Sequence, residues 1–80
     1  MKFISKQHCD DFLKAVERAR GNVWLVSVHG DRFNLKSTMM RYVALGKLCT
    51  ESGDSLELFC DLKDDEALFL EFFHNNPDVI

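Results

Sequence analysis

Proline occurs once in this chain, at Pro77, and glycine only four times. Disordered and low-complexity tracts are far richer in both, so neither is expected. Long hydrophobic runs are also missing. The longest, such as Val23 to Val26, hold four residues, against the roughly 20 that a bilayer demands. Met1-Lys2-Phe3-Ile4 gives way at once to polar residues, so no signal-peptide core is expected. A basic surplus is absent: Lys and Arg number 10, Asp and Glu 13, for a net charge of −3. A reader of the phosphate backbone needs a basic stripe, so no nucleic-acid role is expected. The three cysteines, Cys9, Cys49 and Cys60, are odd in number and fit no zinc spacing. They read as small buried thiols in a reducing cytoplasm, with no metal and no cofactor.

What remains is an ordinary globular composition, 46% apolar, over 80 residues. That length makes one domain, 1–80, which buries roughly 60% of its unfolded surface. The hydrophobic period then alternates between two kinds. Residues 2–5 have the makings of a short strand. Cys9, Phe12, Leu13, Val16 and Ala19 recur at helical spacing, with Ser5 as N-cap and Gly21 as a left-handed C-terminal stop. Residues 22–28, rich in Val, Leu and Trp, read as a strand. His29-Gly30-Asp31 is a hairpin turn, and residues 32–36 alternate with Phe33 and Leu35 on one face. Ser37 caps a second helix whose apolar side is Met40, Val43, Ala44 and Leu48, and Gly46 interrupts it. Glu51-Ser52-Gly53-Asp54 is a turn. Residues 55–60 alternate again, with Leu56, Leu58 and Cys60 facing one way. Asp64-Asp65-Glu66 opens a third helix with a solvated acidic start, followed by the stripe Leu68, Phe69, Phe72 and Phe73.

The order is β-α-β-β-α-β-α. It packs naturally as a four-stranded, mostly antiparallel sheet with three helices on one face, an α+β fold with the other sheet face open. With Trp24, Val26 and Val28 toward the helices, Val23, Leu25 and Phe59 would form an exposed apolar cluster suited to a homodimer or another docking partner. The opposite facing of this strand is the alternative.

Gly30 to Ser37 spaces its glycine, lysine and serine as a phosphate-binding loop does, but Leu35 replaces the second glycine. That glycine lets backbone wrap a phosphate, so a nucleotide site is excluded. The same stretch fits another pattern. Asn34-Leu35-Lys36-Ser37, Met39 and Leu45-Gly46, with Gly30 in register upstream, resembles the signature of HPr, the small phosphocarrier of the bacterial sugar phosphotransferase system. The resemblance implies an open-faced β-sandwich in the strand and helix order inferred above. A short insertion after Gly46, around residues 47–52, departs from the family. The family's phosphate-carrying histidine falls on Lys6, or on Ser5 with a one-residue gap. His8 stands where the family has arginine, and Cys9 where it has proline. Histidine-lacking relatives such as catabolite-repression HPr share this departure.

What carries over is the serine. The resemblance implies phosphorylation of Ser37 by an ATP-dependent serine kinase, followed by binding to a catabolite-control regulator or another protein of the phosphotransferase system. Lys36, Met39, Met40 and Val43 are the expected partner contacts. A phosphate at Ser37 would meet the positive end of a helix. Three alternatives stand beside this. Ser37 is only a cap; His8, near a helix start, is a displaced phosphoacceptor; or the domain binds partners through neither site. His8 also reads as a surface histidine, and His29 and His74 as a turn residue and a helix end. No nucleophile, base or carboxylate pair stands out as a catalytic set, so an enzyme is not expected.

Overall fold

The computed structural model describes residues 2–50, 53 and 55–79. Helix α1 (Lys6–Arg18) is followed by strands β1 (Val23–Val26) and β2 (Arg32–Asn34), helix α2 (Thr38–Leu48) and strand β3 (Glu57–Cys60). A 3-10 turn (Lys63–Asp65) then leads into helix α3 (Glu66–Asn75). The three strands form one antiparallel sheet in the order β2-β1-β3. The fold is thus α+β with three helices, and among the described residues the sheet has three strands rather than the expected four.

The missing strand has a local cause. The Phe3 amide donates to the Leu48 carbonyl at 2.8 Å, and the Ile4 amide donates to His8 Nδ1 at 3.2 Å. Ser5 then caps α1, its hydroxyl accepting from the His8 amide at 3.3 Å. Residues 2–5 therefore end two helices instead of joining a ladder. Phe3 is buried and packs edge-on against Phe12 and obliquely against Phe72.

Leu25 sits in register with Phe33 on one side and Leu58 on the other. Val23, Leu25, Phe33 and Leu35 are all buried in one cluster with Phe12, Val16, Ala44, Leu48, Phe69 and Phe72 from the helices. This reverses the facing expected for β1: Val23 and Leu25 point to the helices. Trp24 and Val26 lie on the open face, where Trp24 is directly opposite half-exposed Phe59. Trp24 is not loose there, since its indole Nε1 donates to Asp61 at 3.0 Å and the Arg32 guanidinium covers its ring at 4.7 Å. Val28 lies beyond the strand and is exposed.

The hairpin turn is as expected: Gly30 has φ +89, and Ser27 and Asp31 close the loop with a 2.9 Å backbone bond. Gly21 differs. No left-handed φ is found there, and its need for glycine is steric, because a Cβ would meet Leu62 Cγ at 2.7 Å. Gly46 does not interrupt α2 but lies within it, so Lys47 and Leu48 are helical rather than inserted loop. The turn expected at Glu51-Ser52-Gly53-Asp54 lies, apart from Gly53, outside the described residues.

Candidate functional site: the start of helix α2

Strand β2 becomes helix α2 within a few residues, and nearly every group in that switch is engaged. Asn34 Oδ1 accepts from the Lys36 amide, and the Asn34 carbonyl accepts from the Ser37 amide, both at 3.0 Å. This is the side-chain-supported turn that asparagine makes readily. The Leu35 amide remains on the sheet, donating to Val23 at 2.8 Å, while its side chain is fully buried. The Leu35 carbonyl accepts from Arg41 Nε at 3.0 Å. Lys36 turns inward, and its ammonium donates to the carbonyls of Val16 and Ala19, at 2.6 and 2.5 Å, where α1 ends. A cation at a helix C-terminus satisfies carbonyls that have no intrahelical partner.

Ser37 is the exception. It holds the N-cap position with extended backbone, and its carbonyl accepts from the Arg41 amide at 2.9 Å. Its side chain is exposed and makes no capping hydrogen bond. The expected cap is thus positional only. Ser37→Ala should leave the urea midpoint almost unmoved, within about 0.5 kcal/mol. Ser5→Ala, which removes a real cap, should cost about 1 kcal/mol by the same measurement. Equal losses in the two variants would contradict this assignment.

Beyond Ser37 the first-turn amides of α2 have no intrahelical acceptor, and no acidic residue stands in that turn. Neither a histidine nor a carboxylate bonds the hydroxyl among the described residues.

Down the outer face of the helix run Met39, Tyr42 and Val43, 79%, 65% and 49% exposed. Gly46 follows, and a Cβ there would meet nothing within 4 Å. Positions 39, 42, 43 and 46 share one helical face. Only Ala44 and Leu48 of α2 are buried. The anticipated contact set is therefore redrawn. Met39 and Val43 belong to the face; Met40 packs against the core; Lys36 is committed to α1. Tyr42, not among the expected contacts, joins the face, and its spacing from Met39 and Gly46 is the sequence signal for it.

His8 lies elsewhere and is buried, not on the surface as a plain histidine would be. With Nδ1 accepting from the Ile4 amide, Nε2 faces Asp78 Oδ1 at 2.9 Å. That bond holds the Asp78 carboxyl below its usual range. Both ring nitrogens thus hold chain ends together, and His8 shares no hydrogen-bond partner with Ser37.

No protein-family model, curated protein or solved structure matches this chain. Among the described residues, no helix is long and apolar enough to cross a membrane.

Proposed function

We propose that this domain is an HPr-like regulatory adaptor that presents Ser37, as a phosphorylation site, at the head of an apolar docking stripe. The observation that carries the reading is the division of labour in Asn34-Leu35-Lys36-Ser37: three side chains hold the switch together, and the serine hydroxyl is left in solvent. The helix and strand order, α-β-β-α-β-α, also supports it, because it is the HPr order without the first strand. The partner is a protein carrying a cationic group for the phosphate beside an apolar groove for Met39, Tyr42 and Val43. Helix-in-groove recognition uses this i, i+3, i+4 spacing. A serine phosphate adds roughly −1.5 to −2 charge at neutral pH, and at a helix start it meets free amides and the positive dipole end. The buried position of His8 favours the serine over a phosphohistidine.

Incubation with the serine kinase of the HPr family and ATP should add one phosphate to the wild type and none to Ser37→Ala. A phosphate that persists in Ser37→Ala, or no phosphate on either, would remove the regulatory reading. Enzyme I with phosphoenolpyruvate should leave the protein unlabelled. An acid-labile phosphate lost in His8→Ala would instead make it a phosphocarrier.

A further inference from the structure

Two thiols 40 positions apart in the sequence meet at the molecular surface. Cys9, in the first turns of α1, and Cys49, the C-cap of α2, bring their sulfurs to 3.6 Å. Both are free thiols, Cys9 half-buried and Cys49 exposed. They open onto a hollow of about 490 Å³ whose lining includes Lys2, Phe3 and Lys6. Cys60 is separate, half-buried on β3. Burial first, then Asp65, Glu66 and Asp61, raise its pKa and keep it a protonated thiol.

We propose that Cys9 and Cys49 are a reversible modification site, closed to an intramolecular disulfide by a low-molecular-weight disulfide of the glutathione class. Cys49 attacks first, because it is the accessible sulfur. Its thiolate displaces one thiolate from the oxidant and forms a mixed disulfide. Cys9 then loses its proton to solvent and attacks the Cys49 sulfur, releasing the second small thiolate. The two protein thiols are oxidised to one disulfide, one small disulfide is reduced to two small thiols, and the two protons end on those thiols.

The geometry carries this. The sulfurs need to approach by about 1.5 Å to reach the roughly 2.05 Å of a disulfide. Cys49 lies at the end of its helix, where a rotamer change disturbs no helical turn. Burial, then the hydrogen bond and charge of Cys49, then Asp10, push the Cys9 thiol up to about 11. Such a thiol reacts poorly with an oxidant in free solution. It suits the second step, where its target is already adjacent and the reaction is intramolecular. Lys2 and Lys6 give the hollow a positive side for the carboxylates of a glutathione-like oxidant, although Lys6 also pairs with Asp10 at 3.5 Å. The cross-link would fasten the start of α1 to the end of α2, the junction already bridged by Phe3 and Leu48.

The test treats the reduced full chain with glutathione disulfide and follows intact mass, free thiols and thermal unfolding. The wild type should lose two hydrogens in mass, keep one titratable thiol, and gain at least about 5 °C in Tm. Cys60→Ser should lose the same mass and keep no thiol. Cys9→Ser should stop at a mixed disulfide on Cys49. Unchanged thiols, a lasting mixed disulfide in the wild type, a disulfide through Cys60, or a disulfide-linked dimer would each overturn the proposal.

Discussion

Replacing Phe12 with alanine is expected to remove a large share of the stability of this domain. Phe12 is fully buried on α1, at the centre of the aromatic cluster. Its ring centroid lies 5.1 Å from that of Phe3, 5.5 Å from Phe72 and 5.7 Å from Phe69. These rings belong to the N-terminal segment, α1 and α3, so one side chain joins three parts of the chain. Truncating a buried phenylalanine typically costs about 3–5 kcal/mol, because the lost transfer energy is joined by a cavity that rigid neighbours cannot close. At roughly 0.05–0.15 kcal/mol per residue, a domain of this length has only about 4–12 kcal/mol in total. Urea titration followed by far-UV circular dichroism should show the midpoint collapse. Phe12→Leu should recover much of it. Phe59→Ala, on the open sheet face, should shift it by no more than about 0.5 kcal/mol. A Phe12→Ala midpoint close to that of the wild type would show that the aromatic cluster is not the core.

The stripes of α1 and α3 were legible because their period is long and their residues large, whereas Val43, expected on the apolar side of α2, is exposed. Phe12, Val16, Phe69 and Phe72 were placed inward by spacing alone, and they are inward. The alternation of Phe33 with Leu35, and of Leu56 with Leu58, also holds in the structure. β1 was ambiguous for a physical reason. Val23, Trp24, Leu25 and Val26 are all apolar, so period two is invisible. The facing is decided by pairing with Phe33 and Leu58, which sequence order does not reveal. The first strand failed on competition. Phe3-Ile4-Ser5 has strand-like residues, but its amides meet Leu48 and His8, partners 45 and 4 positions away.

The candidate site was legible as a location but not as a division of roles. Its strand-to-helix switch lies where residue types placed it. The role of Lys36 depends on α1 ending within reach of β2, a purely tertiary fact. His8 reads as polar and exposed until its two partners, Ile4 and Asp78, are known. Asp65 read as one of several solvated acids before α3, yet it is buried. Its carboxylate caps nothing in its own helix and accepts instead from the amides of Gly21 and Arg20.

Lys36 and Asp65 together predict the second large effect. They hold the chain where α1 ends and turns toward β1. Lys36 takes the carbonyls of Val16 and Ala19, and Asp65 takes the Arg20 amide at 3.1 Å and the Gly21 amide at 2.8 Å. Lys36→Met should cost about 2–3 kcal/mol, since hydrogen bonds to a charged group are worth more than neutral ones and both carbonyls lose their partner. Lys36→Arg should not restore it, because a planar fork cannot replace a compact ammonium between two converging oxygens. The Asp65 carboxyl is held below its usual range by the Gly21 amide, then by the Arg20 amide, with Lys36 adding its charge. A depressed folded pKa means that its stabilisation is complete above the ordinary carboxyl value of about 3.9 and fades as pH falls through the lower folded value. The stability gap between the wild type and Asp65→Asn should therefore be full at neutral pH and close in acid. With Lys36→Met in the background, the gap between Asp65 and Asp65→Asn should close at higher pH, because the carboxylate has lost a favourable charge. A gap that closes at the same pH with and without Lys36 would mean that the two side chains act on the α1 terminus independently, and that Asp65 owes its depression to the backbone amides alone.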